Sequence, residues 1–107
     1  MFEHKLYMPN ISHKLRDEVR DIIIEDVGGF THYFATGYWD MFEDGKMVNT
    51  SEPVIVFEVI TRSNEMPRGF AYARKGLFEL GESCVLTTVK RIKAEFHYNE
   101  RWDDSVL

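Results

Sequence analysis

Two carboxylates stand out by their neighbours. Glu52 lies between Ser51 and Pro53, directly before PVIVFEVIT, the most apolar run of the chain. The residue before a proline is held extended, so rigid local structure aims this side chain. A carboxylate fixed in that way can receive an ammonium group or polarise a substrate. A plain charge at a strand edge fits the local sequence equally well. Glu58 lies inside the apolar run, where a carboxylate needs a partner or a shifted pKa; pairing with an Arg or Lys across an interface is the stronger reading. The rings come next. GGFTHYFATGYWD, residues 28–40, places Tyr38 and Trp39 directly after Thr36-Gly37. Glycine within a strand marks a bulge or a close approach by another group. A flat ring there can stack on an adenine or face a cation, although core packing is the commoner use of such rings. Gly28-Gly29 can admit a phosphate, yet the end of a helix explains the pair better.

Other chemistries are disfavoured. The histidines are His4, His13, His32 and His97, with no H-x-x-x-H pair and no Cys-x-x-Cys, so a metal site is not expected. Neither a G-x-S-x-G elbow nor a phosphate-binding glycine loop is present. The one cysteine, Cys84, begins an apolar Cys-Val-Leu run and reads as a small buried hydrophobe. It cannot form an intramolecular disulfide, which fits a reducing compartment. The net charge of −5 argues against nucleic acid as a partner, with Lys90-Arg91 the main basic cluster.

The chain of 107 residues suits one domain, read here as residues 1–99, followed by a polar tail over 100–107 in which Trp102 can dock. The start, MFEHK, lacks the apolar core of a signal peptide, and no apolar run is long enough to span a membrane. The expected location is the cytoplasm.

The elements that must position these residues follow from periodicity. Residues 2–8 read as a strand ending in a turn at Pro9-Asn10. Ser12 is a candidate N-cap, and Leu15, Val19, Ile22, Ile23 and Val27 form one helix face, with Gly28-Gly29 as the stop. Residues 30–40 read as an aromatic strand and residues 43–46 as a turn, with a short strand or a loop at 47–50. In residues 53–61, Val54, Val56, Glu58 and Ile60 face one way and Ile55, Phe57 and Val59 the other, so both faces are mostly apolar and need cover. Asn64 is a candidate cap for a second helix bearing Phe70, Ala73, Leu77 and Leu80, stopped by Gly81. Residues 83–89 read as a strand, and residues 92–98 alternate as a further one.

The order β-α-β-β-α-β predicts an α+β fold of ferredoxin-like type, an antiparallel sheet with two helices on one face. A strand that is apolar on both sides then predicts a homo-oligomer joined sheet to sheet.

The run GGFTHYFATGYWD…DGKMVNTSEPVIVFEVIT, together with the later GESCVLTTVK, resembles the PII-like trimeric ferredoxin-like proteins and, more closely, the phage S-adenosylmethionine lyases. The likeness rests on Thr36-Gly37-Tyr38-Trp39, Glu52 and Cys84-Val85-Leu86, and covers residues 28–89. It implies a cytoplasmic homotrimer with ligand clefts between subunits, and a bacteriophage enzyme that counters host methylation and restriction. It also implies a reaction in which the substrate's own carboxylate attacks its γ-carbon, giving 5′-methylthioadenosine and homoserine lactone without a cofactor. By this likeness Glu52 holds the amino group or orients the substrate, and Tyr38 lies near the sulfonium. Gly28, Gly29 and Thr31 line the cleft, and Thr36, Gly37 and Trp39 contact substrate. The alternative is a PII-like module that binds an adenine nucleotide without catalysis.

Overall fold

The computed structural model describes residues 1–9 and 12–99. The far side of the expected Pro9-Asn10 turn, and the tail with Trp102, lie outside the described residues. The elements are β1 (Phe2–Pro9), α1 (His13–Val27), β2 (Thr31–Glu43), β3 (Lys46–Thr61), α2 (Arg68–Glu79) and β4 (Leu86–Arg91). The fold is α+β. The strands form one sheet in the order β2-β3-β1-β4, and every neighbouring pair is antiparallel. Among the described residues no helix is long and apolar enough to cross a membrane.

Helix α1 forms where its signals stand. Ser12 Oγ accepts the Leu15 N–H at 3.2 Å, and Gly28, in the left-handed conformation at φ 86°, donates its N–H to the Ile24 carbonyl. Leu15, Val19 and Ile23 are buried. They meet Phe70, Ala73 and Leu77 of α2, with Leu6 and Met8 of β1 and Ile55, Phe57 and Val59 of β3 beneath. The helices approach closely because α2 carries glycine at two contact points. A Cβ on Gly69 would press on Ile23, and one on Gly76 on Leu15. His4 is also buried, with Nε2 at 2.9 Å from both Thr61 Oγ1 and the Ser63 carbonyl. These partners satisfy it as a core residue.

Four expectations need correction. Helix α2 starts after Pro67, not at Asn64, and has no side-chain cap; Pro67 excludes its predecessor from helical geometry. Leu80 lies beyond the last turn and is exposed. The returning segment 47–50 is not separate: it joins residues 53–61 in one strand of 16 residues. Pro53 interrupts nothing because β1 ends at Pro9, opposite Val54, so among the described residues β3 has an open edge from Pro53 back to Lys46. Finally, β4 begins at Leu86 rather than Ser83, and residues 92–99 form no strand.

The second face of β3 is apolar only in part. Val54 and Val56 are buried there, with Val56 between its ladder partners Tyr7 and Tyr33. Farther along, Lys5 meets Glu3 at 3.6 Å and Glu58 at 3.9 Å, and Lys90 meets Glu3 at 3.5 Å. Glu58 therefore has an ammonium partner on the adjacent strand of its own chain.

Replacing Ser12 with Ala removes the α1 cap at a cost of about 1 kcal/mol, lowering the thermal midpoint by ~4–8 °C. A melt followed by circular dichroism at 222 nm checks this.

Candidate functional site

Strands β2 and β3 share one unbroken register from Thr31↔Glu58 to Glu43↔Lys46. Asp44-Gly45 closes the hairpin, and both residues have positive φ, 50° and 75°. That is the geometry a two-residue hairpin turn favours, since its twist matches that of the strands. Past the end of β1 the two strands continue, alone among the described residues, as an arm, and the greatest dimension is 63 Å. Glu52 sits at the root of this arm, paired with Gly37.

Alternation along the ladder assigns each side chain to a face. Residues in line with Ile55 and Phe57 face the helices: His32, Phe34, Thr36 and Tyr38 on β2. Residues in line with Val54 and Val56 face away: Thr31, Tyr33, Gly37, Trp39 and Glu52. The Trp39 ring lies over Gly37 so closely that a Cβ at that glycine would collide with ring carbon Cζ3. Gly37 is therefore the floor of a Trp39 shelf, and Glu52 stands beside it on the same face.

Glu52 is the anomalous group of the site. Its Oε1 is buried and has no hydrogen-bond partner among the described residues. Burial, and after it the negative charge of Glu82, push its carboxyl above the ordinary glutamate value. Glu82 was not foreseen as a site residue. It follows Gly81, which is left-handed at φ 96°, and its N–H bonds to the Leu77 carbonyl at 3.0 Å, so the end of α2 fixes its backbone. Helix periodicity marks where α2 stops but says nothing about which strand end its connection meets. Cys84, in the same connection, is exposed rather than buried.

The structure gathers some of the expected residues and separates others. Gly37, Trp39 and Glu52 come together. Thr36 and Tyr38 belong to the same ladder but point to its other face, and Tyr38 is 70% exposed. Within one chain Tyr38 and Glu52 do not share a cleft. Gly28, Gly29 and Thr31 lie at the far end of β2. Thr31 is six ladder positions from Gly37, roughly 20 Å at the usual strand rise. There they line a cavity of about 400 Å³ with Glu58, Ile60 and Phe96. Comparison of the chain with models of known protein families and with characterised proteins finds no match.

The raised proton affinity of Glu52 has a definite sign. The folded chain binds a proton that the unfolded chain releases near pH 4.5, so this group lowers stability as pH rises from there through the folded-state value. Glu52→Gln removes the effect. Denaturation midpoints of the two proteins should differ least near pH 4, and the Gln protein should gain on the native one towards pH 7. A pH-independent difference would contradict this account.

Proposed function

We propose that this chain is an S-adenosylmethionine lyase, acting as a PII-like homotrimer with a ferredoxin-like βαββαβ fold. The observation that carries the reading is the buried, unpartnered Oε1 of Glu52 beside the Trp39 shelf. A partly desolvated carboxylate attracts a cation more strongly than an exposed one, because less water competes for it. An aromatic face beside it adds attraction for an onium group or stacks on a base. S-adenosylmethionine offers an ammonium, a sulfonium and an adenine. The strand order β2-β3-β1-β4 with two helices over one face is the arrangement such a chain would have.

The reaction asks little of the protein beyond placement. The substrate's carboxylate oxygen forms a bond to its own γ-carbon while the γ-carbon–sulfur bond breaks. The electron pair stays on sulfur, so the sulfonium leaves as neutral methylthioadenosine and the remainder closes to homoserine lactone. Glu52 would hold the ammonium, keeping the methionine chain folded with its carboxylate behind the γ-carbon. Orientation of this kind supplies much of the acceleration in intramolecular reactions. Trp39 would cover the adenosyl side, with Gly37 beneath its ring. Tyr38, Thr36 and the Gly28–Thr31 end would serve clefts completed by neighbouring subunits.

Nucleotide binding fits the site less well. A di- or triphosphate needs N–H donors or basic groups, whereas Glu52 and Glu82 present negative charge.

Incubating the purified chain with S-adenosylmethionine should yield methylthioadenosine by chromatography. Glu52→Gln should lower turnover at least ~100-fold with the fold and subunit assembly unchanged. A folded native chain that releases no methylthioadenosine overturns the proposal.

A further inference from the structure

A groove of about 460 Å³ runs between the first half of α1 and the second half of α2. Its floor is apolar. Leu15 and Gly76 meet there so closely that a Cβ on Gly76 would strike Leu15 Cδ1. Tyr72 and Leu80 flank Gly76 one turn to either side, on the same stripe of α2, and are 42% and 54% exposed. The Tyr72 hydroxyl donates to Glu18 Oε2 at 2.6 Å and bridges the two helices.

The rim is charged in a mixed pattern. Lys14 and Lys75 bring ammoniums to it and Glu79 a carboxylate. Among the described residues none of these three is in an ion pair. On the sheet, by contrast, Lys5 and Lys90 each have a carboxylate within 4 Å. An occupant that suits this groove brings one large apolar group, acids for the two ammoniums and a base for Glu79. Residues 101–104, Arg-Trp-Asp-Asp, have that composition. They are also within reach. Phe96 lines a cavity with Val27 and Gly28, at the far end of α1. From Val27 back to Leu15 the helix rises about 18 Å. Trp102 stands six residues beyond Phe96, an extended reach of roughly 20 Å.

We propose that residues 101–104 lie in the α1–α2 groove of their own chain. The Trp102 ring would rest on Leu15, Gly76 and Leu80. Asp103 and Asp104 would meet Lys14 and Lys75, and Arg101 would meet Glu79. The ring would supply most of the affinity, since a buried indole removes about 150–250 Å² from water. The ion pairs sit on an exposed rim, where each is weak, and would mainly fix the direction of the segment. Docked in this way, the tail straps the two helices together across their outer side. The groove belongs to the helix layer, whereas Glu52 faces away from the helices. A chain that docks its tail and releases no methylthioadenosine would therefore overturn only the enzymatic reading.

The test reads the Trp102 ring in full-length chains. Trp39 and Trp102 are the two tryptophans, so native emission minus that of Trp102→Phe isolates the second ring. It should emit to the blue of free tryptophan in water and be shielded from acrylamide. Lys14→Glu with Lys75→Glu should shift the emission to the free position and abolish the shielding, with native far-ultraviolet circular dichroism. Adding Asp103→Lys with Asp104→Lys should restore both, because the charges match again. If the glutamate variant unfolds, Lys14→Gln with Lys75→Gln should still weaken the shielding. The glutamate variant refolded together with the Trp102→Phe chain should stay unshielded, since each tail enters its own groove or none. Shielding regained in that mixture would place the tail on a neighbouring copy and overturn the proposal. So would a native Trp102 that emits as free tryptophan, shielding that survives the rim reversal, or a tail reversal that restores nothing.

Discussion

The pairing of β2 with β3 is the constraint on which the other features depend. Thirteen residue pairs share one register, and a slip of one residue would send every side chain to the opposite face. The register is held from both ends. At one end the Asp44-Gly45 turn fixes it, helped by a hydrogen bond from Asn49 Nδ2 to Asp40 Oδ1 at 3.2 Å. At the other end Phe57 is locked in the core and gathers Phe30 and His32 around it, with ring centroids 5.4 Å and 6.1 Å away. Between these anchors Glu52 has no freedom to choose a face. It lies opposite Gly37, in line with Val54 and Val56, whatever its own side chain would prefer in water.

That constraint explains how one oxygen of the half-buried Glu52 carboxylate comes to be enclosed with no hydrogen-bond partner among the described residues. In the ion network of Glu3, Lys5, Glu58 and Lys90, each carboxylate has an ammonium within 4 Å. The same face of the same sheet therefore treats its acids in two ways. At the Glu58 end β1 runs alongside and Lys5 is the direct ladder partner. At the Glu52 end β1 has stopped, and the approaching connection brings another acid, Glu82, instead of a base. The chain meets a costly buried carboxylate with more negative charge. It is on this group that the proposed role as a receptor for a cation rests.

Local signals were legible where a single element creates them. Ser12, the apolar face of α1 and Gly28 specify the first helix completely, since cap, face and stop are all local. The two-sided burial of residues 54–57 was equally plain. What escaped was set by neighbouring elements. Pro53 looks like the start of a strand because proline weakens a ladder, but β3 has a free edge there, so the strand runs through. Residues 92–98 alternate perfectly, yet alternation cannot supply the missing partner. Glu52 was legible as a held carboxylate from Pro53 alone. Its relation to Trp39 and Tyr38 needed the register, which places one beside it and the other behind.

The aromatic character of β2 has two separate physical causes. Near its start, Phe30 and His32 close the edge of the core around Phe57, because the helices do not reach that far across the sheet. Near the arm, the cause is different. A two-stranded ribbon by itself is marginally stable in water, and here a wide ring makes up for the absent third strand. The Trp39 ring presses against Gly37, so the strand needs glycine at 37 to admit the ring. The same stacking that stiffens the arm also leaves a ring beside Glu52, on the face turned away from the helices. Structural need and the proposed recognition are therefore not competing explanations for Trp39: the first holds the ring still, and stillness is what the second would require.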